Sequence, residues 1–228
     1  MITINIYNSE KHKEGDFLNK WISLPTTKEE MKEHLNNIQI TDDNHHNVAI
    51  AYHQFDIKGI ESLSVCNNLN EKNYLANLLA NMTPDELEKF EAAAMHGDNS
   101  RSTLDLINLT YNLECYELYP ADDYETLGMC IAEDVMPGEI PKWSEKFFDY
   151  ESFGKSYAKT VNGKFVDMGY VIKSEIDYQY KYFGNNIPEE YKILTESIAT
   201  IKDQLIMYGK IAAAQPMTKP KEFTQERG

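Results

Sequence analysis

The chain has 228 residues, 42% of them hydrophobic and 11% aromatic, enough apolar surface to bury several modest cores and too much for wholesale disorder. Its 37 Asp and Glu against 22 Lys and Arg leave a net charge of −15. Such a field repels nucleic acid and lipid phosphate and draws in basic surfaces at rates that fall with salt, so a nucleic-acid or membrane-surface binder is excluded as the first reading.

The elements begin with a strand, because Ile2, Ile4 and Ile6 alternate with polar residues at the period of a half-buried strand. A turn at Gly15 leads to a second strand through Phe17, Leu18, Trp21 and Ile22, stopped by Leu24-Pro25. Thr27 and Glu30 have capping-box spacing and open a short helix through Met31 and Leu35; Val48-Ala-Ile-Ala-Tyr52 is a third strand. Together these form an α+β domain over residues 1–61. Residues 62–113 read as a helical domain. Tyr74, Leu75, Leu78, Leu79 and Met82 share one stripe, and Thr83-Pro-Asp-Glu86 combines a cap, a first-turn Pro and first-turn carboxylates. That helix buries Leu87, Phe90 and Ala94 and stops at Gly97, and Ser102 with Asp105 caps another through Leu104, Ile107 and Leu109.

A second α+β domain occupies 114–175. A strand over 114–119 ends at Pro120, and Asp122 and Asp123 precede a helix carrying Tyr124, Leu127, Ile131 and Val135. Pro141 starts a short helix through Trp143 and Phe147, and Asn162-Gly163 reads as a two-residue hairpin turn before a strand from Phe165 to Ile172. Beyond it, Tyr191, Leu194, Ile198, Ile201, Leu205 and Tyr208 recur at spacings of 3 and 4, a heptad seam. Residues 176–214 are therefore expected as a helical extension whose seam either docks on its own domain or pairs two chains. Residues 215–228, rich in Pro, Lys, Thr and Gln, are expected as a flexible tail. The predicted architecture is α+β: an elongated series of three small domains, antiparallel-sheet α+β, helical and α+β, plus a C-terminal helix.

The acidic excess lies in the body and not in the tail. Residues 114–175 hold thirteen acidic and six basic side chains, whereas residues 176–228 hold seven of each. Asp122, Asp123, Glu125, Glu133, Asp134, Glu139, Glu145, Asp149 and Glu151 make the densest run, and Asp85, Glu86, Glu88 and Glu91 form a second on the middle domain. Duplex DNA carries about one charge per 1.7 Å, so fifteen excess charges match roughly 25 Å of duplex. Any one of these carboxylates taken alone is an ordinary solvated side chain.

Signals for chemistry are sparse. His12, His34, His45, His46, His53 and His96 are scattered, with no HExxH, zinc-spaced cluster or EF-hand loop; His45-His46 beside Asp42-Asp43 reads as a polar loop. There is no nucleophile elbow, P-loop or dinucleotide fingerprint. No catalytic residue, metal or cofactor is expected; a hydrolase using paired carboxylates is the weakest of the alternatives. Cys66, Cys115 and Cys130 form neither a CxxC pair nor an even disulfide framework. With no signal-peptide core and no apolar run of membrane length, the expected location is the cytoplasm.

Several motifs resemble the ArdA antirestriction family. They run through Glu114-Cys-Tyr-Glu-Leu-Tyr-Pro120, Leu127-Gly128, Gly138-Glu-Ile-Pro141, Phe148-Asp-Tyr150, Phe153-Gly154, Gly163-Lys-Phe165 and Gly169-Tyr-Val171. Ile6-Tyr7, Gly15, Trp21 and Leu24-Pro25 look like the family's opening strand pair. Phe153-Gly-Lys-Ser156 departs from the Tyr-Gly-Arg-Asp that relatives often carry. The resemblance implies an elongated homodimer that mimics bent DNA and occupies the groove of a Type I restriction-modification enzyme, through its methyltransferase core. The thirteen carboxylates named above would be the mimic surface, with Tyr191, Leu194, Ile198, Ile201 and Leu205 as an oligomer seam. Two other readings stay open: an acidic adaptor of a mobile element using its heptad helix, and a mimic aimed at another DNA-reading defence system.

Overall fold

A computed structural model describes residues 2–41, 43–60 and 68–194. The fold is mixed α+β, with seven α-helices and two three-stranded antiparallel sheets among the described residues. The first sheet has β1 (Ile2–Asn8) between β2 (Asn19–Leu24) and β3 (Val48–Phe55). Its alternation decides its faces. Ile2, Ile4, Ile6, Ile22 and Leu24 are buried, and Met31 and Leu35 of α2 (Lys28–Asn37) join them in the core. Between β1 and β2 lies a short helix the pattern did not signal, α1 (Ser9–Lys13), capped by the Asn8 side chain.

Three helices follow: α3 (Leu69–Ala80), α4 (Pro84–His96) and α5 (Thr103–Thr110). The expected caps are all present. Thr83 and Glu86 close a capping box, Ser102 caps α5, and Gly97 ends α4 at φ +100°, a conformation open to glycine without a Cβ penalty. The second sheet has the order β4 (Tyr116–Tyr119), β6 (Gly169–Lys173), β5 (Gly163–Val166). Both of its faces are covered: Val171 points into the core shared with α3, α4 and α5, while Tyr170 and Ile172 pack with Leu127 and Ile131 of α6 (Tyr124–Val135). Against α6 lies α7 (Tyr150–Ala158).

Three local differences from the sequence expectation have physical reasons. Gly163 opens β5, with Asn162 just before it, instead of the pair forming the hairpin turn; the turn is Asp167-Met168, set by the pairing of Val166 with Gly169. Gly169 has φ +137° and lies so close to β4 that a Cβ there would stand 2.1 Å from the Tyr119 carbonyl oxygen, so glycine is required at that end of the hairpin. In the stretch from Pro141 only a single 3-10 turn forms, Glu145–Phe147, and the α-helix comes later, as α7, once Asp149 supplies a cap.

The third difference is the segment 174–194, which contains one 3-10 turn, Glu189–Tyr191, and no α-helix. It crosses α3 and α5 as a strap, its backbone held by buried asparagines. The Asn108 amide donates to the Tyr182 carbonyl and accepts from the Lys181 and Tyr182 N–H groups, each at 2.8 Å. Asn112 holds both backbone groups of Gln179 in the same way. Asn70 accepts from the Ile193 and Leu194 N–H groups at 2.9 Å and donates to the Leu194 carbonyl. These amide side chains replace the hydrogen bonds a helix would have made internally. Tyr182, Ile187 and Ile193 complete the core beneath. Of the expected seam, Tyr191 and Leu194 thus belong to the strap, while Ile198, Ile201 and Leu205 lie outside the described residues, as does Cys66.

Candidate acidic surface

The densest carboxylates gather on α6 and α7, and local sequence explains how they are held. Asp123 caps α6: its side chain accepts from the Thr126 N–H at 2.8 Å, and the Thr126 hydroxyl oxygen accepts in return from the Asp123 N–H. Asp149 caps α7 by accepting from the Ser152 N–H at 3.0 Å. In both, the backbone N–H followed by the Thr126 or Ser152 hydroxyl holds the carboxyl below its usual range, so each stays ionised near neutral pH. Glu86 on α4 is lowered likewise by Thr83, first through its backbone N–H and then its hydroxyl. The residues that start these helices are therefore fixed negative charges as well.

The two helices cross at glycines. A Cβ on Gly128 would meet the Tyr150 carbonyl oxygen at 1.9 Å, and one on Gly154 would meet that of Tyr124 at 2.0 Å. Tyr124 facing Gly154 and Gly128 facing Tyr150 make the pair antiparallel. With a rise of about 1.5 Å per residue, α6 spreads Asp122, Asp123 and Glu125 at one end and Glu133 and Asp134 at the other over roughly 18 Å. Asp149 and Glu151 enter beside its middle, and among the described residues Glu151 is the one member of the set with an ion-pair partner, Lys155. Glu133 and Asp134 occupy the last turn of α6, where the helix dipole is negative and the turn itself carries no basic residue. That placement costs helix stability and deepens the negative potential.

Twelve of the thirteen expected carboxylates are exposed; Glu91 is half-buried and accepts from the Lys58 backbone N–H. Asp85, Glu86, Glu88 and Glu91 lie on α4, on the other side of the second sheet from α6, so the structure does not gather all thirteen onto one pair of helices. Glu139 and Glu145 sit in the loop between α6 and α7, exposed.

A groove of about 630 Å³ joins the two sides, lined by Lys89 of α4, Glu117 and Tyr119 of β4, and Cys130, Glu133 and Asp134 of α6. Glu117 is the acidic member that sequence reasoning passed over. Its signal was present: it alternates outward between the buried Tyr116 and half-buried Leu118. The Tyr119 hydroxyl lies 3.1 Å from Glu117 and 3.4 Å from Asp134. Burial foremost, then its bonds to Tyr157 and Glu117, raise its pKa, so it stays a neutral donor to these carboxylates. Among the described residues, no helix is long and apolar enough to cross a membrane.

The model of one protein family, described as Antirestriction protein (ArdA), matches residues 4–172. No curated protein matches the chain.

Proposed function

The chain belongs to the ArdA family of antirestriction proteins, and we propose that it acts as a DNA mimic, occupying the DNA-binding groove of a Type I restriction-modification enzyme with carboxylates in place of phosphates. The observation that carries this reading is the α6–α7 pair. Seven carboxylates lie along about 18 Å of helix axis, a length over which duplex DNA presents about ten phosphates. The helices that carry them are fixed by caps and a glycine crossing, so little backbone ordering remains to be done on binding.

In this reading the domains 1–61, 62–113 and 114–175 lie in series along an elongated body, and the protein acts in the cytoplasm without catalysis, protecting incoming DNA of a mobile element. Two chains associate as a homodimer that doubles the length of the charged track. Exposed Met129, Val135, Trp143 and Phe147 support self-association, since Trp143 and Phe147 are each 74% exposed and solvent contact with that much apolar surface is unfavourable.

The test is competition between this protein and a labelled duplex for a purified Type I methyltransferase across a salt series. Displacement of the duplex that weakens steeply as salt rises is expected. Displacement indifferent to salt, or none at any salt, would remove the mimic reading.

A further inference from the structure

One face of the first sheet packs into the core; on the other, among the described residues, an aromatic pair stands exposed. There Trp21, Asn5 and Tyr52 stand in one row, because Asn5 pairs with Trp21 on β2 and with Tyr52 on β3. Asn5 is buried, its amide donating to Asn19 at 3.1 Å, while Trp21 is 52% and Tyr52 65% exposed. The two rings are nearly parallel, 19° between planes, with centroids 6.5 Å apart.

Elsewhere this chain uses its own cations on its rings. Lys72 lies over Phe55, Lys146 over Phe147, Lys155 over Tyr124 and Lys181 over Tyr111, all within 6 Å of the ring centre. No cation among the described residues lies over Trp21 or Tyr52. A face of aromatic π-density on a chain of net charge −15 is complementary to a basic protein surface. Among basic groups the guanidinium fits it best, being planar, weakly hydrated and able to stack, whereas an ammonium is a compact, strongly hydrated point charge.

We propose that Trp21 and Tyr52 form a docking platform for an arginine side chain of a basic protein partner, its guanidinium stacking on the paired rings. The platform rests on the mimic reading in one respect: the partner that supplies the arginine is the DNA-binding enzyme. It adds to the carboxylates a contact that chooses arginine over lysine, which charge alone does not do.

The test has two arms. In the first, the full chain carrying 5-fluorotryptophan, with its two fluorine signals assigned through Trp21→Phe, is titrated with an alternating Arg-Gly heptapeptide and with its Lys-Gly counterpart of equal charge. The Trp21 signal is expected to move with the arginine peptide at about threefold or more lower concentration than with the lysine peptide, and Tyr52→Ala should abolish that preference. Equal response to both peptides, a still Trp21 signal, or a preference that survives Tyr52→Ala would overturn the proposal. Thermal unfolding of Tyr52→Ala confirms that the sheet persists. In the second arm, Trp21→Ala and Tyr52→Ala should each raise the concentration needed to inhibit the methyltransferase by about three- to tenfold, with the salt dependence unchanged. A chain that failed to inhibit at all would sink the mimic reading, and the peptide arm would still decide the platform.

Discussion

In the mimic reading Asp123, Asp149 and Glu86 each combine a capping bond with a binding charge, and amide substitution separates the two. Asn and Gln keep an oxygen that accepts from the same N–H, so the helix start survives while the charge goes. Asp123→Asn, Asp149→Asn and Glu86→Gln are expected to unfold at nearly the wild-type midpoint yet inhibit restriction less; the Ala versions should lose stability too. Unfolding curves beside restriction-protection assays check this, and equal inhibition by Asn and wild type would deny these groups a part in binding. The pH dependence follows from the sign of their shifts. Because hydrogen bonds lower each carboxyl in the folded chain from its ordinary value of 3.8 for Asp or 4.5 for Glu, their stabilisation is full above those values and is lost as pH falls through the lower, folded ones. These groups therefore leave stability flat from neutrality to about pH 5 and erode it below. The triple amide variant, having nothing to titrate there, should show a shallower acid-side fall in its unfolding midpoint.

At the scale of elements, the sequence was legible where local chemistry decided the outcome. Thr83-Pro-Asp-Glu86, Ser102, Asp123 and Gly97 mark helix ends because the groups that satisfy those ends are adjacent in the chain. It misled where distant residues decided. Apolar spacings of 3 and 4 from Tyr191 look helical, but the first turn of that pattern is held by Asn70 and Asn73, more than a hundred residues earlier. The overlooked signal was polar residues on apolar helices: Asn108 interrupts the run Leu104, Leu106, Ile107, Leu109 and is fully buried, so it had to have a partner. Asn108→Ala strips the clamp from the Lys181 and Tyr182 backbone groups. It should cost about 2–4 kcal/mol in urea unfolding, with faster amide exchange at Tyr182. A loss under about 0.5 kcal/mol would mean the strap contributes little to holding the helices. Gly128 shows the same limit from the other side. Nothing near it in sequence announces a helix crossing, yet the absent side chain is what lets α7 approach α6.

On the scale of the molecule, the net charge of −15 resides wholly in residues 1–175, almost the stretch that matches the family, while residues 176–228 are balanced. Charge and architecture are thus divided: the body presents the carboxylates, and the strap from 174 to 194 helps to close the larger core, on the other side of the second sheet from α6. If the mimic reading holds, such a surface spreads its binding energy over many weak contacts, each an exposed pair in high dielectric. Its response to mutation is then the opposite of an active site's. Neutralising Asp122, Glu125, Glu133, Asp134, Glu139 and Glu145 one after another should weaken inhibition about two- to threefold per step, with the salt dependence growing shallower as charges are removed. Because these side chains are exposed and cap no helix, the unfolding midpoint should hold steady or rise as like-charge repulsion is relieved. Complete loss from any single member, with the rest indifferent, would instead point to a localised chemical site and would leave the distributed surface without a role.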